Sequence, residues 1–206
     1  MVKRVLIIGG YGNFGSYIAR SLAKDPAIRL LIGGRSVEKA QRFIAGLETA
    51  HPPEACHIDI EGNVAAALSA IAPDIVIHTT GPFQSQDHSV ARACIRWGCH
   101  YLDLADARDF VAQIGTLDMD AKAQNVLVVS GASSVPCLTS SVIDHYLPGF
   151  EVLEHVDYGI SAAQQTNRGL ATTSAILSYV GKPFATIRNG QPHNVYGWQD
   201  THSEIY

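Results

Sequence analysis

The chain has 206 residues, room for one generous domain or for one domain and part of another. Apolar residues make up 47% and charged residues 17%, which excludes a disordered chain, and a net charge of −4 with no basic block argues against nucleic acid or an anionic membrane as partner. Cys56, Cys94, Cys99 and Cys137 are irregularly spaced and read as reduced thiols in a cytoplasmic protein, and no apolar stretch approaches transmembrane length.

The first predicted strand, Val5-Leu6-Ile7-Ile8, leads straight into Gly9-Gly10-Tyr11-Gly12-Asn13-Phe14-Gly15. Strand, Gly-x-Gly-x-x-Gly turn and helix form the start of a dinucleotide-binding βαβ unit. Gly10 is assigned the tight turn, Gly12 the close approach to a pyrophosphate, and Gly15 the close packing of helix on strand. Asn13 and Phe14 complete the cofactor loop, where the helix N-terminus attracts phosphates. The helix over 13–23 places Phe14, Ile18 and Leu22 on one face.

A second strand follows at 29–33, then a helix over 36–47 with Ala40, Phe43, Ile44 and Leu47 at helical spacing. Further strands are expected at 55–60, 74–80, 100–104 and 126–130, with helices over 63–71 and 88–97, the latter stopped by Gly98. Strands separated by helices imply a parallel sheet with right-handed crossovers, and ligands then bind at the carboxyl ends of the strands. After a helix over 137–147, Pro148-Gly149 breaks the pattern. Val152, Glu154, Val156, Tyr158 and Ile160 alternate as in a strand with one buried face. A helix over 172–180 and the Asn189-Gly190 hairpin signal complete the sequence pattern. The expectation is an α/β chain. A Rossmann-type doubly wound parallel sheet fills residues 1–149, and part of an α+β second domain fills 150–206. About fifty-five residues would struggle to bury a core alone, so the sequence is expected to be a truncated form of a longer protein.

The end of the second strand selects the cofactor. NAD sites place Asp or Glu there to accept from the ribose hydroxyls. This chain has Gly33-Gly34-Arg35-Ser36, with no acid. Arg35 offers a guanidinium fork to a 2′-phosphate, Ser36 a hydroxyl and a helix cap, and Lys39 a further cation one turn on. The predicted cofactor is therefore NADP. Asp59, closing the third strand, flanks the adenine, unless it is only a turn residue. Thr80, Gly81 and Pro82, closing the fourth, line the nicotinamide half, unless they form a mere turn.

Five segments together resemble the NADP-binding domain of the saccharopine dehydrogenase-like reductases. They are the glycine loop, Gly-Gly-Arg-Ser-Val-Glu-Lys-Ala from Gly33, His-Thr-Thr-Gly-Pro-Phe from His78, Cys-His-Tyr-Leu-Asp-Leu-Ala-Asp from Cys99 and Ser-Gly-Ala-Ser-Ser-Val-Pro from Ser130. The resemblance covers most of the first 148 residues; the later Gly-Lys-Pro and Gly197-Trp198 also fit. It implies an NADP-type Rossmann domain followed by a substrate and dimerisation domain, hence a homodimer formed through the second domain. It also implies hydride transfer to or from a small imine, carbonyl or enone.

The catalytic candidates are Asp103 and Asp106, which follow the fifth strand and are placed to orient a substrate amine or exchange a proton. The competing view has Asp103 capping the next segment or pairing with Arg108. His78, inside an apolar strand, reads as a satisfied core histidine ahead of a catalytic one. Cys137 supports a rival aldehyde dehydrogenase chemistry as a helix N-terminal thiolate, against a buried packing role at the domain junction. Cys56-His57, Cys94 and Cys99-His100 have no recognisable metal spacing, so no metal is expected. No Tyr-x-x-x-Lys pair or phosphate-binding Gly-x-x-x-x-Gly-Lys loop is present. An NADPH-binding redox sensor without turnover stands as the alternative from outside enzymology.

Overall fold

The computed structural model describes residues 1–156, 158–160 and 169–199. The chain forms two compact units, Met1–Ala162 and Ala163–Tyr206, so the first continues past the expected boundary at residue 149.

The first unit is built on six parallel strands: β1 (Lys3–Ile8), β2 (Ile28–Gly34), β3 (Glu54–His57), β4 (Ile75–His78), β5 (His100–Asp103) and β6 (Val128–Val129). Their order in the sheet is β3-β2-β1-β4-β5-β6. β1 pairs in parallel with both β2 and β4, so the strand order reverses beside it. That reversal opens the crevice in which doubly wound sheets hold a dinucleotide.

The apolar run of β1 is unbroken because both faces of the sheet are covered. Leu6 and Ile8 join Leu31, Val76 and Tyr101 against helices α3 (Val64–Ile71), α4 (Ser89–Trp97) and α6 (Asp118–Ala123). Val5 and Ile7 join Leu30 and Ile32 on the opposite face, against α1 (Asn13–Leu22) and α2 (Val37–Ala45). Two elements between β5 and β6 have no counterpart in the sequence pattern, α5 (Arg108–Gln113) and α6. Each is only six residues, with a 3₁₀ turn at Ile114–Leu117 between them, too short to show a helical period.

Phe14 departs from expectation. It is 51% exposed, and the buried positions of α1 are Gly15 and Ala19. At Gly15 the helix lies so close to the Gly9–Gly10 turn that a Cβ has no room, and the Phe14 ring is turned outward.

The expected strand over 152–160 is not formed among its described residues, which are irregular and exposed. Alternation defines a face, but a strand also needs a neighbouring strand to bond its backbone, and none pairs with this segment among the described residues. Of the expected second domain, 161–168 and 200–206 lie outside the described residues. Upstream of the irregular segment, a kinked turn at Ser134–Leu138 leads into α7 (Thr139–Tyr146).

The second unit contains α8 (Gly169–Ser178) and an antiparallel hairpin of β7 (Pro183–Arg188) and β8 (Gln191–Tyr196). Asn189 and Gly190 both have positive φ, as a two-residue hairpin turn of this hand requires.

Candidate functional site

The crevice at the β1/β4 reversal is edged first by the glycine loop. The left-handed turn residue is Gly9, with φ +81°, and not Gly10, to which the sequence pattern assigned the tight turn. Gly10 is held by packing instead: a Cβ there would lie 3.0 Å from the Ile7 carbonyl oxygen and 3.1 Å from Ile32 Cγ2. At Gly15 a Cβ would collide with the Gly9 carbonyl oxygen and stand 2.8 Å from Gly10 Cα, so the helix packs closely there, on the glycine turn and not on the strand that the sequence reading named. Gly12 is the N-cap of α1 and has no side chain with which to close the helix end. A cradle lined by backbone and free of Cβ atoms is what a pyrophosphate requires. Asn13 begins the helix and the exposed Phe14 follows it at the rim.

The β2 tip is fixed by the same loop. Tyr11 lies on Gly34, where a Cβ would come within 2.7 Å of Tyr11 Cε1 and 2.8 Å of Cζ. The Tyr11 hydroxyl oxygen accepts the Ser36 N–H at 3.1 Å. Ser36 is the N-cap of α2, its Oγ accepting the Lys39 N–H at 3.2 Å. Arg35 is exposed, and so is the Lys39 side chain. The last residues of β2, Gly33 and Gly34, carry no acid, and exposed His57 lies beside Gly34 on β3. Asp59 stands two residues beyond β3 and its Oδ1 accepts the Glu61 N–H at 3.1 Å, a turn-forming contact.

Across the crevice, β4 is followed by Thr79-Thr80-Gly81-Pro82, with a cis Gly81-Pro82 peptide. Thr79 Oγ1 donates to the Ile8 carbonyl at 2.9 Å, and Thr80 Cγ2 packs so near Gly9 that a Cβ there would lie 2.7 Å away. The fourth strand tip and the glycine loop are therefore in contact. Gln86 Nε2 closes the turn by donating to the carbonyls of Thr80 (2.6 Å) and Pro82 (3.1 Å).

Beneath this tip is a buried polar chain. His78 is 1% exposed, with Nε2 at 2.7 Å from Thr80 Oγ1 and Nδ1 at 3.1 Å from the Tyr101 hydroxyl. Both ring nitrogens are partnered, as the core reading of His78 expects. Burial pushes its pKa down to about 4, so the ring is neutral at physiological pH. Burial and the neighbouring Asp103 carboxylate push the Tyr101 hydroxyl pKa upward, so the phenol keeps its proton.

Asp103 is 0% exposed. Its Oδ1 accepts the Ala105 N–H, the Gly131 N–H and the Ser130 hydroxyl, each at 2.9 Å, tying the β5 tip to the β6 tip. Its Oδ2 is buried with no hydrogen-bond partner. Neither oxygen is open to a substrate, so the direct catalytic contact expected of Asp103 is replaced by a capping and bridging role. Asp106 is exposed and accepts from Gln84 Nε2 at 3.1 Å. The two aspartates are thus separated by environment, one sealed in the sheet edge and one at the surface.

Cys94 and Cys99 are buried in the core, and Cys56 is half-buried. Cys137 is exposed, not the buried packing residue expected. It stands in the kinked turn before α7, where the backbone directs it outward. Among the described residues no three His, Cys, Asp or Glu side chains gather as a metal site. Among them too, no helix is long and apolar enough to cross a membrane.

Sequence reasoning left Tyr11 and Tyr101 without roles. Tyr11 was visible inside the glycine motif but gave no signal, because its partners are twenty-three and more residues away in β2 and its tip. Tyr101 carried only the signal of alternating with Asp103 on β5, which places both on one face.

The family model described as the saccharopine dehydrogenase NADP binding domain matches residues 5–129. No curated protein matches the sequence. Among solved structures, the protein yvaA of Bacillus subtilis, described as an oxidoreductase, is similar with a TM-score of 0.50 at 20% identity, over 72% of this chain and 41% of that one. The 3-ketoacyl-(acyl-carrier-protein) reductase of Brucella melitensis, solved with NADH, gives a TM-score of 0.46 at 19% identity, over 62% of this chain and 73% of that one. A protein described as an NAD binding oxidoreductase from Klebsiella pneumoniae gives 0.45 at 15% identity, over 72% and 39%. The chain spans about two fifths of the length of the Bacillus protein.

Proposed function

The chain belongs to the saccharopine dehydrogenase NADP-binding family, and from that premise we propose that it binds NADP(H) across the carboxyl edge of its sheet. There it serves hydride transfer to or from a small imine, carbonyl or enone. The observation that carries this is the pairing of a Cβ-free cradle at Gly12 and Gly15 with an acid-free β2 tip bearing exposed Arg35. Gly10, Gly12, Asn13, Phe14 and Gly15 border the pyrophosphate. Arg35, Ser36 and Lys39 receive the 2′-phosphate, where a carboxylate would repel it. Asp59 borders the adenine, and Thr80, Gly81 and Pro82 border the nicotinamide.

When bound, the nicotinamide supplies the hydride chemistry. The chain's own contribution is to orient that ring against the Thr80–Pro82 turn and to wall off water with Phe83, which is buried with Phe110, Ala105 and Ala107. Asp106, exposed and held by Gln84, is the carboxylate available for proton exchange with substrate. The second unit, on this reading, contributes substrate contacts and the surface for a homodimer.

Calorimetric titration with NADPH and NADH tests the cofactor choice. Arg35→Ala should weaken NADPH binding about tenfold to a hundredfold, the worth of a charge-assisted phosphate contact, and leave NADH binding nearly unchanged. Equal loss for both cofactors refutes the 2′-phosphate role. Hydride exchange from stereospecifically deuterated NADPH across a carbonyl and imine panel tests turnover. Tight NADPH binding without exchange by the full-length protein would favour the sensor over the enzyme.

A further inference from the structure

β2 and β3 end together at the carboxyl edge of the sheet. Their last residues, Gly34 and His57, are register partners, and neighbouring strands lie about 4.8 Å apart. Arg35, which the cofactor reading assigns to the 2′-phosphate, is the next residue after Gly34. His57 therefore stands one strand away from that arginine, on the edge where doubly wound sheets take their ligands.

The face that His57 occupies follows from the strands themselves. Side chains two residues apart on a strand share a face. Ile32 and Ala55 are partners two residues before Gly34 and His57, and both belong to the apolar cluster under α1 and α2. Gly34 confirms the direction, since a Cβ there would point at the Tyr11 ring, which packs on the same cluster. His57 thus lies on the face covered by α2, whose cap is Ser36 and whose first turn carries Lys39, and α2 lies against β3. His57 is exposed, whereas Ile58 after it is sealed in the core on the opposite face. His51, His78, His88 and His100 each hold a hydrogen bond inside the chain. The His57 ring makes none among the described residues. The nearest acid along the chain, Asp59, turns its Oδ1 to the Glu61 N–H.

We propose that His57 is a further side chain of the 2′-phosphate site, its imidazole N–H donating to a phosphate oxygen from the β3 side while Arg35 donates from the β2 tip and Lys39 from α2. The assignment rests on the cofactor reading above. The chemistry suits the ligand. An imidazole has a ring N–H to donate in both of its protonation states, and a bond from it to a phosphate is charge-assisted and stronger than a neutral one. A ribose with a bare 2′-hydroxyl offers this position no anion. His57 therefore acts on the choice between NADPH and NADH and not on nucleotide binding in general, whereas a ring stacked on adenine would serve both cofactors alike.

Calorimetric titration of the full chain with NADPH, NADH and 2′,5′-ADP tests it. His57→Ala should weaken NADPH and 2′,5′-ADP about threefold to tenfold, the worth of one exposed charge-assisted hydrogen bond, and leave NADH as it was. His57→Glu should weaken the two phosphate-bearing ligands more than His57→Ala does, because it sets a carboxylate against the phosphate. His57→Gln keeps an N–H donor and should hold most of the wild-type affinity. Equal loss for NADPH and NADH makes His57 an adenine contact and overturns the proposal, as does an unchanged NADPH-to-NADH ratio in both His57→Ala and His57→Glu. If that ratio still falls in Arg35→Ala, the cofactor reading stands without His57. A wild-type chain that binds NADH as tightly as NADPH overturns the cofactor reading and this assignment with it.

Discussion

The two sides of the crevice are built from different materials. On the β1–β2 side the working surface is backbone and exposed cations: Gly9, Gly12 and Gly15 shape the loop, Arg35 projects from the strand tip and Lys39 follows in α2. On the β4–β6 side it is buried side chains: His78 links Tyr101 of β5 to Thr80 beyond β4, and Asp103 ties the tip of β5 to Ser130 and Gly131 beyond β6. On the proposed reading the first side meets a phosphate, a ligand satisfied by N–H groups and positive charge from nearly any fold. On the same reading the second meets the uncharged nicotinamide ring, whose orientation decides the chemistry, and orientation demands groups that cannot rotate. Removing one group from the first side should therefore change affinity and spare the fold. Removing one from the second should cost stability first.

The sharpest break is Asp103→Ala. It strands the Ala105 and Gly131 N–H groups and the Ser130 hydroxyl at once. Losing the carboxylate should lower unfolding stability by about 3–5 kcal/mol, read from urea midpoints, while Asp103→Asn keeps an acceptor and loses much less. A loss below about 1 kcal/mol for the alanine variant would show that the β5–β6 tie bears little, and the contrast between the sides would collapse.

Next in size is a pH effect carried by His78. Its pKa is depressed to about 4 in the fold, from 6.5 in the unfolded chain. The unfolded state thus takes up the proton first as pH falls. Stability from this group is complete above about pH 6.5, declines through the interval, and levels off below about pH 4; the difference amounts to about 3 kcal/mol. Subtracting the pH–stability curve of His78→Gln from that of the wild type isolates it. A difference that stays flat from pH 7 to pH 4 would mean that His78 is not held neutral. Arg35→Ala, third in size, should show the opposite signature, with NADPH affinity lost and the urea midpoint unmoved.

The same division explains what was legible in the sequence. The elements of the β1–β2 side were legible, because glycine loop, strand tip and helix cap are contiguous in the chain. Even there the left-handed turn belongs to Gly9 and not Gly10, since two adjacent glycines can trade that role and only the packing of Ile32 against Gly10 decides. The parallel pairing of the strands followed from the alternation of strands and helices. The β4–β6 side was legible only in part. His78 stood out as a polar residue in an apolar strand, but its partner Tyr101 is 23 positions away, and Ser130 is 27 from Asp103. Periodicity carries no information on which distant side chains meet. Asp103 was singled out for being acidic at a strand end, a signal that cannot tell a sealed bridge from an open base. The 152–160 segment failed for a related reason, because alternation names a face and not the strand that must pair with it.

The smallest effect bears on the side chain that joins the two parts of the first side. Tyr11 belongs to the glycine loop yet rests on Gly34 and accepts the Ser36 N–H, so it ties that loop to the turn that presents Arg35. Tyr11→Phe keeps the ring packed on Gly34 and removes only the acceptor. The Ser36 N–H lies at the edge of α2, where water can replace the lost partner, so the stability cost should be about 0.5–1 kcal/mol. The informative readout is the ratio of NADPH to NADH affinity. If Tyr11 sets the angle at which Arg35 leaves the strand, the ratio should fall about twofold to fivefold, since a single neutral hydrogen bond is worth little more. NADH binding itself should hold, because the cradle at Gly12 and Gly15 is intact. Equal weakening of both cofactors would place Tyr11 in the cradle alone. The cofactor choice would then rest on Arg35, Ser36 and Lys39 without help from the loop.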